Sequence, residues 1–355
     1  MTRDPVLFRV DGTRTQGWEA LARCLVLAAA MQRRRRPCRF VSQLEPTVLA
    51  GQIKRGDNDW IPAAGPVGSP EDLEQMTRLI QQHQPAAVVV DVPQCGPEYL
   101  AELVALGPMV LCLDDAGHRF PCQLVVHPLL GRTPADFDVC PGTQVLTGRR
   151  YALIRPGIRR VRLVRGQEPP LPLRIVVGLG DDPQGLTTRM VKILLSMSAL
   201  SRIDILGRAV HPDYPQWQAL AEEHKGRVSV ATETAEQAKR ISRCHLALSE
   251  ANAWSLELAC VGVPMLLLVQ DEAYWRNAEV LDEEGAATLL GWHEGVTEKT
   301  LKMAVENLLE DQAERRLMAR AGRALLDGRG PDRLITAMEI MVQPHLRPQS
   351  QRRAA

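Results

Sequence analysis

Residues 245–270 read HLALSEANAWSLELACVGVPMLLLVQ, and the reading of this one run decides the fold. HLALSE (245–250) is a short apolar run closing on polar groups, and a small polar loop follows it. Residues 255–261 have the composition of a helix, which Gly262-Val263-Pro264 ends before a second apolar run, PMLLLVQ (264–270). Two strand-length apolar runs joined by one helix form a β-α-β unit, with parallel strands buried on both faces. The same unit recurs on either side. RIVVGLG (174–180), RIDILG (202–207) and RVSVA (227–231) read as strands, with helices over 186–197, 216–224, 235–243 and 277–284. Nearer the start, VLFRV (6–10), AAVVVDV (86–92), PMVLCLDD (108–115) and LVVH (124–127) read as strands, with helices over 18–33 and 98–106. Such alternation implies two doubly wound parallel sheets with right-handed crossovers.

Between the two series lies RRVRLVRGQEPPLP (159–172), basic and proline-rich, which reads as a linker. The expected organisation is a Rossmann-like domain over 1–158, a linker over 159–173 and a second Rossmann-like domain over 174–343. A long amphipathic stretch over 298–325 leads through DGRGPDR (327–333) to a last helix, expected to pack back on the first domain; 344–355 reads as a flexible tail. Ligands of such sheets sit outside the carboxyl ends of the strands, and the expected place is a cleft between the halves.

The 355 residues carry 43 Lys+Arg against 42 Asp+Glu, a formal charge of +1, with 45% hydrophobic and 4% aromatic residues. A nucleic-acid binder carries a basic surplus and stacking aromatics, so that partner class is excluded. Arg33–Arg36 ends a helix and reads as a solvated terminus complementing the helix dipole. Eight cysteines without a CxxC pair, and histidines without HxH or HExxH spacing, support no metal site; no cofactor is expected. The opening MTRDPVLFRV lacks a signal-type apolar core, and the run around Leu25–Met31 falls far short of the ~20 residues of a membrane span, so a cytoplasmic protein is expected. No oligomeric state follows from these residues.

Polar loops at strand ends are the candidate site. The first runs from Arg9 through Asp11 to Gly17 and Trp18; the others are Asp114-Asp115, GLGDDP (178–183) and SEANAWS (249–255). Helix starts at such loops can hold phosphates. Glu257 stands in an otherwise apolar helix, so its carboxylate needs a donor, either ribose-type hydroxyls or a salt-bridge partner.

These loops, in this order, resemble the bacterial nucleotide-sugar hydrolases of pseudaminic acid synthesis, which cleave UDP-2,4-diacetamido-2,4,6-trideoxy-β-L-altropyranose, and the related spore-coat polysaccharide glycosyltransferase-like group. Arg9, Asp11, Gly17, Arg23, Cys24, Asp91, Asp114-Asp115, GRRYALIRP (148–156), Gly180 to Pro183, Ser249 to Pro264, Asn277-Ala278 and DGRGPDR carry the resemblance. It implies a GT-B-like architecture with a UDP-sugar or related nucleotide sugar as partner. Arg9, Asp11, Gly17 and Tyr151 would then face the sugar, and Gly180, Asp182, Asn252, Ser255 and Asn277 the nucleotide, with Glu257 on the ribose hydroxyls.

The departures fall on the same loops. Where the family reads Gly-x-Gly-His, with the histidine as base, this chain reads Gly17-Trp18-Glu19-Ala20, and alanine moves no proton. Glu19 and Asp115 are the weak substitutes. Asp181, Ala251, Ala253, Trp254, Ala273 and Tyr274 replace small or polar family residues. Two functions are therefore expected as alternatives: a divergent nucleotide-sugar hydrolase or transferase of surface-glycan synthesis, or a catalytically silent scaffold binding a sugar nucleotide or a protein.

Overall fold

The computed structural model describes residues 4–92, 95–113 and 119–342. The chain divides into two compact units. The first takes residues up to Pro128, Arg132–Leu153 and the chain from Arg329 onward; the second takes Leu129–Gly131 and Ile154–Gly328.

The first unit runs β1 (Val6–Val10), α1 (Glu19–Arg33), β2 (Cys38–Ser42), α2 (Ala50–Arg55), β3 (Asp59–Pro62), α3 (Pro70–His83) and β4 (Ala87–Asp91). It continues with α4 (Pro97–Ala105), β5 (Met109–Leu113), β6 (Leu124–His127) and β7 (Gln144–Thr147). All seven strands are parallel, in the order β3-β2-β1-β4-β5-β6-β7. The second unit runs α5 (Pro156–Val164), β8 (Arg174–Gly178), α6 (Leu186–Leu195), β9 (Arg202–Leu206), α7 (Tyr214–Glu223), β10 (Val228–Ala231), α8 (Thr234–Ile241) and β11 (Leu246–Glu250). After these come α9 (Ala253–Val261), β12 (Met265–Val269), α10 (Trp275–Glu283), β13 (Thr288–Trp292), α11 (Glu298–Glu310) and α12 (Gln312–Leu325). Its six strands are also parallel, ordered β10-β9-β8-β11-β12-β13. The last helix among the described residues, α13 (Gly330–Val342), belongs to the first unit.

The central strands are continuous apolar runs because helices cover both faces. Val88, Val89, Val90, Leu266, Leu267 and Leu268 are all buried. From Trp254 to Val261 α9 is buried all round, packed against α5 and α12, which accounts for its lack of a polar face. No helix among the described residues is long and apolar enough to cross a membrane. None of the eight cysteines, all among the described residues, is in a disulfide, and all but the half-buried Cys140 are buried.

Several local expectations change. Residues 159–164 lie in α5 and not in an extended linker: Ile158 and Val161 turn inward at helical spacing, with Pro156 at the first position. The amphipathic stretch 298–325 is two helices, because Asp311 ends α11 and its carboxylate accepts the Glu314 N–H at 2.8 Å to start α12. β2, β3, β7, β13, α2 and α3 join the expected elements; charged or short runs such as CRFVS and DWIP hid them. The end of α1 is exposed at Arg33 and Arg35, as expected, and it is also paired. Arg33 reaches Asp332 at 2.8 Å, and Arg34 pairs with Glu339 and bonds Thr336, so the basic run docks α13 on α1.

Candidate functional site

In each sheet the strand order reverses once, between β1 and β4 and between β8 and β11, and the crevice at the carboxyl ends beside such a reversal is where ligands of open parallel sheets bind. Of the loops singled out from sequence, the one after β1 lies at the first point and those after β8 and β11 at the second.

At the first, Arg9 is wholly buried at the end of β1 and bonds the carboxylates of Asp11 and, at 2.7 Å, Asp72. Burial works against its charge, but the two acids outweigh burial and hold its pKa above the usual guanidinium value. Asp11 also accepts the Gln43 N–H at 2.7 Å, tying β1 to the end of β2. Arg9 and Asp11 are therefore joined inside the unit, both buried. One turn into α1, Arg23 grips Asp91 with two bonds of 2.7 and 2.6 Å. Beside it, burial and the Asp91 carboxylate raise the Cys24 thiol well above its ordinary pKa, so it stays protonated. Gly17 stands in the left-handed backbone region at φ 77°, a conformation that favours glycine. The Trp18 indole is buried and donates to the Glu45 carbonyl at 3.1 Å; Glu19 opens α1 half-buried, and Ala20 follows, also half-buried. Tyr151 lies in the turn after β7, its N–H on the Gly148 carbonyl, beside Gly330 at the start of α13. Asp114 and Asp115 lie outside the described residues.

At the second point the loops close on themselves. Gly180 (φ 70°) turns the chain after β8, and Asp182 is buried with its two oxygens on the N–H groups of Leu186 and Thr187, each at 2.8 Å. Burial is the largest influence on Asp182 and raises its pKa despite these donors. Asp181 pairs with Arg208. After β11, the Asn252 amide accepts the Trp254 N–H at 3.0 Å and donates to Glu250 at 3.1 Å, capping α9. Ser255 donates to the Asn252 carbonyl, and Asn277 donates to the Ala251 carbonyl and to Ser255 while accepting the Leu130 N–H. Asn252, Ser255 and Asn277 thus form one buried cluster; Asp182 caps the neighbouring helix.

Glu257, one turn into α9, is held by Arg155. The guanidinium donates from Nε to both carboxylate oxygens at 2.9 and 3.0 Å and from Nη2 at 2.6 Å, and the Arg155 N–H adds 3.0 Å. Arg155 also bonds Gln237 and lies 4.5 Å over the Trp254 ring. Of the two donors the sequence left open for Glu257, the structure supplies the salt bridge. No group of His, Cys, Asp and Glu suited to a metal occurs among the described residues.

Comparison with known proteins bears on the fold. No family model matches the sequence. The spore coat polysaccharide biosynthesis protein SpsG of Bacillus subtilis is 23% identical over 230 residues, a match covering 62% of this chain and 66% of SpsG, just under two thirds of that protein. Among solved structures, MurG of Acinetobacter baumannii aligns with a TM-score of 0.65 at 16% identity, over 94% of this chain and 99% of MurG. A co-structure of Staphylococcus aureus MnaA with UDP aligns with a TM-score of 0.61 at 12% identity, over 97% and 98%.

The fold is GT-B-like.

Within this GT-B-like frame, sequence reasoning missed the partners and found the groups they serve. Arg155 sits in the quoted GRRYALIRP run without an assigned role, although an acid in an apolar helix calls for a guanidinium. Asp72 belongs to α3, a helix not read from sequence, and so had no signal.

Proposed function

We propose that this chain is a GT-B-like scaffold of polysaccharide biosynthesis that does not turn over a nucleotide sugar. The observation that carries this reading is the Asp182 carboxylate bonded to the first-turn amides of α6. A helix N-terminus of that kind is a ready anion site, and here an acid of the chain already occupies it. The Asn252 cap on α9 and the Arg155 fork on Glu257 support the same reading, as do Glu19 and Ala20 at the loop where the resembled family carries its base. The SpsG match supports the setting in polysaccharide synthesis. The test is UDP release from a panel of UDP-amino sugars: none above the uncatalysed rate is expected, and catalytic release overturns the proposal.

A second reading, a divergent nucleotide-sugar hydrolase or transferase, is favoured by the half-buried Glu19 carboxylate at the start of α1. In that reading residues 1–158 take the sugar and 174–343 the nucleotide, Glu257 meets ribose after Arg155 gives way, and Glu19 or Asp115 replaces the base. It expects Glu19→Gly with Ala20→His to raise UDP release and Glu257→Ala to weaken UDP binding.

A further inference from the structure

We propose that the second unit carries an anion site for a phosphate- or pyrophosphate-bearing ligand, in a cavity of about 420 Å³ lined by Arg165, Glu168, Arg315, Arg316, Arg320 and Arg323. The cavity opens beside Gly262 and Pro264, where α9 turns into the amino end of β12. It therefore lies at the opposite edge of the sheet from Asp182 and Asn252, and its occupancy is independent of the reading above.

Charge decides the ligand class. Five guanidiniums face one carboxylate, Glu168, which bonds Arg315 and accepts from Gln312 at 2.8 Å. Three of the arginines also serve helix ends. Arg165 donates to the carbonyls of Ile241 and Ser242 at the end of α8, Arg315 to those of Leu308 and Leu309 in the last turn of α11, and Arg323 to those of Val261 and Arg165 at the ends of α9 and α5. A helix C-terminus offers only about half a negative charge. Four such ends and one carboxylate leave roughly two of the five positive charges uncompensated, which matches a phosphate dianion. Burial and the nearby Arg162 and Arg165 depress the Arg323 pKa, a sign of cations crowded without a counter-ion.

The mouth of the cavity makes the same point independently. Arg316 and Arg320 stand one turn apart on α12, exposed, with no ion pair or hydrogen bond to any described residue. Like charges at that spacing weaken a helix slightly, and here they line a concave surface where planar guanidiniums can grip phosphoryl oxygens in pairs. The volume suits a phosphorylated small molecule. A lipid headgroup presents the same chemistry, and Leu163 and Val164, 83% and 77% exposed, immediately precede Arg165.

The experiment is titration calorimetry of the full chain with sodium pyrophosphate, repeated at high salt and with Arg316→Ala/Arg320→Ala. These side chains are exposed, so the variant's melting temperature is expected to match the parent's. Expected are a binding heat that salt suppresses, a pyrophosphate-dependent rise in melting temperature, and an affinity about tenfold weaker in the double variant. Absence of both heat and thermal shift in the parent, or equal affinity in the double variant, overturns the proposal. Sedimentation with vesicles containing phosphatidic acid identifies the source. Binding that pyrophosphate displaces assigns a lipid headgroup, and pyrophosphate binding without vesicle capture assigns a soluble ligand. UDP heat lost in Arg316→Ala/Arg320→Ala belongs to this cavity and not to the loops at α6 and α9.

Discussion

The two reversal points are built from the same topology and stabilised by different chemistry. In the first unit the loop ends are held by guanidiniums on acids: Arg9 with Asp11 and Asp72, Arg23 with Asp91. In the second, side-chain oxygens also cap backbone: Asp182 on the amides of α6 and Asn252 on that of α9, beside guanidinium–acid pairs of the first pattern, Arg155 on Glu257 and Arg208 on Asp181. Ion pairs hold side chains to one another, while caps consume the N–H groups that an anionic ligand would use. At α1 the N-cap residue is Trp18, which makes no capping side-chain bond, so the helix starts of the two units differ in what a ligand would have to displace.

Mutations can break or sharpen this contrast. The largest effect is expected for Arg9→Met, which strands two buried carboxylates and should cost about 3–5 kcal/mol in urea unfolding. Arg155→Ala strands one carboxylate at a partly exposed pair and should cost about 2–3 kcal/mol. Asp182→Ala frees two amides and should cost about 1–2 kcal/mol, and Asn252→Ala about 1 kcal/mol. Equal losses for Arg9→Met and Asp182→Ala would erase the distinction.

A subtler separation comes from pH. Because burial raises the Asp182 pKa above its ordinary 3.8, the folded chain binds this proton more tightly than the unfolded chain. Its contribution to stability is greatest below pH 3.8 and declines as pH rises through the folded value. Asp182→Asn should remove that slope, so the variant gains on the parent from pH 4 upward in chemical denaturation; parallel curves would show that the group titrates normally.

Much of this arrangement was legible in the residues. Apolar runs such as AVVVD and MLLLV announce strands buried on both faces, and Gly262 with Pro264 marks the end of α9. β2 and β3 were hidden because Arg39 and Asp59 interrupt their apolar pattern. The caps that Asp182 and Asn252 make were not legible, because loop position alone does not distinguish an acceptor offered to a ligand from one turned onto the next helix. The Arg155–Glu257 pair joins positions 102 residues apart, beyond the reach of any local pattern.

The docking of α13 has a consequence for how the protein is made. Arg33 and Arg34 meet their partners at Asp332 and Glu339, so the first unit is finished by a helix that follows the whole second unit in sequence. While a ribosome is still adding the second unit, Met31 of α1, with Val6, Ala86 and Ala87 beside it, waits for Ile335 and Met338. A nascent chain therefore carries an uncovered apolar strip for most of its synthesis, and a stop codon after Gly328 would leave it permanently bare.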